Sequence, residues 1–375
     1  MNIIDMINKK TNKDSISYEE MKYILNEYMN NNIQDYEMSS LLMAISLNGM
    51  NDEELCNLID ILVNNSDNIK LESIDNNLVG SAYVGNVNNK IDISLEAVVI
   101  SCGCNFIHSE INVPIYQRLF SLCNKIGINN FVPLIAANII SLKVTNGINK
   151  FVVNIMVGEN SLIKNENQAH ELANTVIRVS KKYNCEVTCF IMTQNIPFGN
   201  SFGRSVEEIE VTNILKHQGD EEVTDLIIQV ASHLVSMDKN ISIEEATQLV
   251  ISKLDDGSAC NKFRELIRVK YKDVNDIEVS DRVFSIKSNK TGFIKKIDAL
   301  KVINLVKKIG IIDGEIDHTV GIVLSKKVGD YVVENEELAR VYLNKIDLGI
   351  NEVLECFEMS EIVGEISPLL KDVIR

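Results

Sequence analysis

The segment from Gly80 to Lys90 has the setting of a phosphate-binding loop and few of its parts. A phosphate cradle needs glycines, so that backbone N–H groups can approach the oxygens, and it needs a cation or hydroxyl beside them. Gly80 and Gly85 supply the glycines. Asn86, Asn88 and Asn89 stand where flexible or anionic residues are expected, and a helix-like run from Ile91 to Gly103 follows. The remaining reactive side chains form no second constellation. His108 and Glu110, two apart in an irregular stretch, read as surface residues rather than an acid–base pair. His233, on a helical pattern with Ala231 and Leu234, reads as a packing histidine, and His318 beside Asp317 as a structural hydrogen-bonding group. Gly199 to Gly203, after Pro197, suits an anion-binding loop that opens a helix and equally a turn that ends a strand. No Ser-His-Asp or metal motif stands out.

The totals narrow the classes. The chain has 375 residues, 45% of them hydrophobic and 24% charged, enough for a large core and more than one lobe. Its net charge of −16 argues against a nucleic-acid groove, which needs a basic face, and against an anionic membrane surface. The longest apolar runs, such as Phe131 to Leu142, stop short of a bilayer span. The first ten residues lack the pattern of a signal peptide, so a cytoplasmic location is expected. Eight cysteines, with Cys102 and Cys104 or Cys185 and Cys189 as the only close pairs, read as reduced buried thiols rather than disulfides or a metal site. No cofactor is implied.

The elements that must position the loop follow from periodicity and caps. Ser17 with Glu20 is a capping box, and Met21, Ile24, Leu25 and Tyr28 share one helical face behind it. A second helix is expected from Tyr36 to Leu47 and a third after Asn51, through Leu55, Leu58, Ile59 and Leu62. Two more are expected over 115–125 and 131–146. Strands are expected at 77–85 and 106–108. Phe151 to Val157 reads as an apolar run, interrupted only by Asn154, as a strand buried on both faces does, and Glu186 to Met192 reads as a second buried strand. With a helix over 165–183 between them they make a βαβ unit and hence a parallel sheet. Helices at 206–216, 223–237 and 243–254 follow. From Asp281 onward short strands alternate with turns, at 283–287, 292–297, 320–325, 331–333 and 338–342, interrupted by one helix over 299–309.

In this order the residues resemble the pyrimidine-nucleoside and thymidine phosphorylases. The matching stretches are Asp35 to Ala44 with Asn48 to Met50, Val132 to Lys143, Thr193 to Gly199, Ala231 to Val235 and Asp317 to Asp330. They span nearly the whole chain. The hairpin from Gly329 to Glu336 separately resembles that of biotinyl and lipoyl modules, without their central lysine. The phosphorylase resemblance implies an all-helical lobe packed on a larger α/β lobe with a mainly parallel sheet, and a small C-terminal α+β domain. The expected boundaries are 1–65 with 115–146, 66–114 with 147–280, and 281–375. It also implies homodimers formed through the helical lobe, and phosphorolysis of an N-glycosidic bond in the interlobe cleft.

Residue by residue, the implied site is degenerate. The loop's cation, histidine and phosphate hydroxyl fall on Ser81, Ala82 and Tyr83, beside the surviving Gly85. A second phosphate serine falls on Asp92, whose charge repels phosphate. The base-binding arginine, serine and lysine fall on Cys123, Asn138 and Leu142. A glycine- and threonine-rich segment is absent between Ile107 and Tyr116. The expectation is a catalytically inactive homologue acting through a homodimer, a heterodimer with an active paralogue, or weak nucleoside or phosphate binding. The alternative is a pentosyltransferase with a site rebuilt from Lys90, His108, Arg118 and Lys143.

Overall fold

The computed structural model describes residues 2–65, 78–85, 89–107, 113–159, 161–268, 277–312, 315–344, 350–364 and 366–375. Four helices open the chain: α1 (Ile3–Thr11), α2 (Tyr18–Met29), α3 (Asp35–Asn48) and α4 (Asp52–Asn64). The sequence reading expects three. The extra one, α1, is nine residues long and shows barely two turns of pattern, yet Asn2 caps it and Ile3 and Met6 are buried. Ser17 and Asn51 form the expected capping boxes with Glu20 and Glu54.

Glu54 does more than cap. Its carboxylate takes the Lys10 ammonium at 2.9 and 3.1 Å, the Ile16 N–H at 2.9 Å and the Asn51 N–H at 3.0 Å. Lys10 and Glu54 are both buried, so one carboxylate fixes the end of α1, the α1–α2 loop and the start of α4.

The chain then builds a parallel sheet. Strand β1 (Leu78–Val84) leads to α5 (Asn89–Ser101) and β2 (Asn105–Phe106). Helices α6 (Pro114–Ile126) and α7 (Val132–Thr145) return to the first four, and α4 packs on α7. Strand β3 (Lys150–Val157), α8 (Glu166–Ser180) and β4 (Glu186–Thr193) form the expected βαβ unit, with β3 between β1 and β4. Residues of β3 alternate between two cores: Phe151, Val153 and Ile155 join the helices of the opening lobe, Val152 and Met156 the opposite layer. That layer contains α9 (Arg204–Leu215), α10 (Glu221–Lys239), α11 (Ile243–Asp255) and α12 (Ser258–Ile267) alongside α5, and the short strand β5 (Ser201–Phe202) precedes α9.

The C-terminal unit has its own core. It holds β6 (Val283–Lys287), β7 (Gly292–Ile297), α13 (Ala299–Gly310), the short pair β8 (Ile311–Ile312) and β9 (Glu315–Ile316), β10 (Gly321–Leu324), β11 (Tyr331–Val332), β12 (Glu337–Tyr342), α14 (Ile350–Leu354) and β13 (Phe357–Ser360). Its sheets are antiparallel, in the orders β5-β10-β12-β6 and β11-β7-β13.

Two strands tie this unit to the rest. β5 belongs to the middle of the chain but pairs with β10. The last strand, β14 (Leu370–Ile374), returns to pair antiparallel with β4 at the edge of the main sheet. Asp372 meets His170 at 2.9 Å, and Arg375 donates to His233 at 2.8 Å. Burial holds the His233 ring below its usual pKa, so it stays neutral and can accept that bond. The junction is close: a Cβ on Gly203, at φ +120°, would lie 2.6 Å from the Val320 carbonyl oxygen.

Glu54→Ala strands the buried Lys10 ammonium and removes a cap. The expected loss is about 3–5 kcal/mol of unfolding free energy in urea titrations. A loss below about 1 kcal/mol would show that water replaces the carboxylate freely.

Candidate functional site

Residues 81–85 run to the carboxyl end of β1, where open parallel sheets bind their ligands. Ser81 and Tyr83 alternate onto the face that carries α5, and Tyr83 sits opposite Asn154 in the register with β3. Gly85 remains glycine for a packing reason. Its φ is +112°, and a Cβ there would stand 2.8 Å from the Ser161 hydroxyl and 2.9 Å from Met156 Cβ. Ala82 is half-buried against the helical core.

The space beside β1 is occupied by the protein's own polar groups. The Ser81 hydroxyl bonds Asp92 Oδ1 at 3.0 Å, and Asp92 is buried in the first turn of α5. Lys143 comes in from α7, is 3% exposed, and donates to the Ser81 carbonyl. Burial lowers the Lys143 pKa to about 8, and the nearby Asp92 charge offsets this only in part. Burial, and then the Asp92 charge, push the Tyr83 phenol well above its ordinary value. The Tyr83 hydroxyl and both amide atoms of fully buried Asn154 are enclosed with no partner at bonding geometry among the described residues.

Lys90 is held separately. Its ammonium donates to the Phe198 carbonyl at 2.7 Å, the Ser201 carbonyl at 2.8 Å and Glu210 Oε2 at 2.8 Å. Its third face lies 5.5 Å from the centre of the Phe202 ring. Glu210 in turn accepts the N–H groups of Asn200 at 2.6 Å and Ser201 at 3.2 Å. The Gly199 to Gly203 segment is therefore shaped around an ammonium and a carboxylate from the protein itself.

The other candidates sit apart. Cys123 is fully buried in α6, where burial pushes its thiol up to about 11. Asn138 and Leu142 are half-buried on α7. Arg118 belongs to the helical lobe. Its guanidinium lies 3.9 Å from the centre of the Tyr28 ring, donates to the Tyr28 carbonyl at 2.5 Å and approaches Asp35 at 3.9 Å. His108 lies outside the described residues. The structure thus brings Ser81, Tyr83, Asp92 and Lys143 together and leaves Cys123 and Arg118 elsewhere. The sequence reading does not single out Asn154 or Glu210. Asn154 had a signal, as the one polar residue inside an apolar strand. The carbonyls around Lys90 had none, because a backbone acceptor carries no residue identity.

Two family models match the chain: the glycosyl transferase family helical bundle domain over residues 4–66, and the pyrimidine nucleoside phosphorylase C-terminal domain over residues 293–358. Pyrimidine-nucleoside phosphorylases from Staphylococcus aureus strains bovine RF122 and MSSA476 are each 26% identical to it, over 99% of this chain and 98% of theirs. Those alignments run to 428 positions, more than the 375 residues here, so the relatives carry segments that this chain lacks. Anthranilate phosphoribosyltransferase from Thermus thermophilus aligns with a TM-score of 0.48 at 11% identity, over 70% of this chain and 98% of that one.

The lowered Lys143 pKa has a stability consequence. Between pH 8 and 10.5 the unfolded chain holds a proton that the folded chain has released, so this lysine's contribution to stability rises with pH across that window. Buried thiols titrate in the same range, so the comparison must be with Lys143→Met. Relative to that variant, the wild-type chain is expected to gain up to about 3 kcal/mol from below pH 8 to about 10.5 in urea unfolding. A flat difference would mean that the ammonium stays solvated in the fold.

Proposed function

We propose that this chain, which belongs to the pyrimidine-nucleoside phosphorylase family, does not carry out phosphorolysis and acts through assembly, pairing by its helical lobe with itself or with an active relative. The observation that carries this reading is the fate of the lysines. Lys90 is held by three oxygens, Lys143 is turned onto the Ser81 carbonyl, and the buried carboxyl of Asp92 takes the Ser81 hydroxyl.

Phosphorolysis needs phosphate held as a nucleophile while charge on the departing base is met by donors. Each missing charged hydrogen bond costs about 1.5–3 kcal/mol, so several together remove useful binding. A rebuilt enzyme site is the second reading. It gains some support from Lys143, whose amine is poised near pH 8, but that amine is buried and already engaged.

The assembly reading is supported by α3, which leaves Tyr36 72% and Leu47 76% exposed on the helical lobe. Large apolar side chains this open on a helix suit a protein interface. No helix among the described residues is long and apolar enough to cross a membrane.

Two measurements test the proposal. With thymidine, deoxyuridine or uridine and phosphate, turnover is expected at least ~10⁴-fold below the ordinary enzyme rate of about 10 per second. A rate within about a hundredfold of that value would overturn the inactive reading. In sedimentation velocity the chain alone, or mixed with an active relative, is expected to run as a dimer that Leu47→Glu dissociates. A monomer under both conditions would overturn the assembly reading.

A further inference from the structure

A cavity of about 330 Å³ opens at the carboxyl ends of β3 and β4, between the loop that follows β4 and helix α13. None of Ser81, Tyr83, Asp92 or Lys143 lines it; of the candidate site residues discussed above only Lys90 does, with its ammonium already engaged. Three observations bear on what it holds. First, α13 has two apolar faces. Val302 and Ile309 enter the C-terminal core, whereas Leu300, Ile303 and Lys307, at helical spacings of three and four, face the cavity. Leu300 is 45% and Ile303 38% exposed, a cost that an occupant would relieve. Second, the opposite wall is apolar and aromatic, with Phe198 and Phe202 among its residues. Third, the polar groups are few. Lys307 makes no ion pair among the described residues, and the Ser201 hydroxyl makes no hydrogen bond among them. Gln194, Glu207 and Lys90 complete the set: one Glu207 carboxylate oxygen takes the Gly203 N–H at 3.1 Å, and the Lys90 ammonium is already held by the Phe198 and Ser201 carbonyls and Glu210.

Each feature restricts the ligand. Aromatic walls and exposed aliphatic residues select a flat apolar body. The volume is about twice that of a cavity of roughly 150 Å³ that admits benzene, so one or two fused rings with a substituent fit. An unpaired ammonium selects one anionic group, and the Glu207 carboxyl disfavours a second. We propose that this cavity binds a planar aromatic monocarboxylate of one or two rings, with its carboxylate on Lys307 and its rings between α13 and Phe202.

The test uses the full chain with 2-naphthoate, and with neutral 2-naphthalenemethanol as its match in shape, by isothermal titration calorimetry at low salt. One site is expected for naphthoate, at or below about 1 mM, the floor that ligand efficiency sets for a molecule of this size. Naphthoate is expected to bind at least about fivefold more tightly than the alcohol, and Lys307→Ala to remove that preference. Ile303→Trp fills the cavity and is expected to abolish binding of both probes. Leu300→Trp fills it from the neighbouring turn and serves the same purpose if the first variant melts early. Absence of binding at millimolar probe, no preference for the carboxylate, or binding that survives a filling variant with a wild-type melting curve would each overturn the assignment.

Discussion

The Lys90 ammonium, locked among the carbonyls of Phe198 and Ser201 and the carboxylate of Glu210, is the contact on which much of this molecule depends. It joins the first turn of α5 to the loop after β4 and to α9, residues more than a hundred positions apart. A buried ammonium is tolerated only when its donors are matched by oxygens. Matching them fixes the path of the loop, and the path of the loop places β5 where β10 can pair with it. The same contact that docks the C-terminal unit therefore engages a cation at the mouth of the sheet.

A second internal neutralisation lies across β1. Lys143, Ser81 and Asp92 form a buried polar group whose charges answer one another, with Tyr83 and Asn154 filling the adjoining space. In a low-dielectric setting such a group is costly to open, because any incoming anion must displace a carboxylate partner and meet its repulsion. A buried carboxyl beside an engaged ammonium at these strand ends disfavours an incoming oxyanion.

Much of this fold was legible in the sequence. The capping boxes at Ser17 and Asn51 and the apolar run from Phe151 to Val157 each encode a local structure that long-range contacts reinforce. What escaped was short or non-local. α1 and α12 are too brief for periodicity to register, and β14 is a five-residue strand whose partner lies far back in the chain. At the site, Ser81, Tyr83 and Asp92 were singled out from the sequence and do lie close together. The use of the remaining cations could not, since Arg118 stacks on Tyr28 and Lys90 binds carbonyl oxygens, and neither partner has a sequence signature. Which side chains are present is visible in a sequence, whereas how they are engaged is a property of the packing.

The most direct measurement is isothermal titration calorimetry of orthophosphate into the full chain at neutral pH, repeated with Lys143→Met. A protein that has neutralised its own lysines should give only dilution heats through the millimolar range in both cases. A saturable exotherm from one site per chain, lost in the variant, would mean that this ammonium still serves phosphate, and the account would be wrong at its centre.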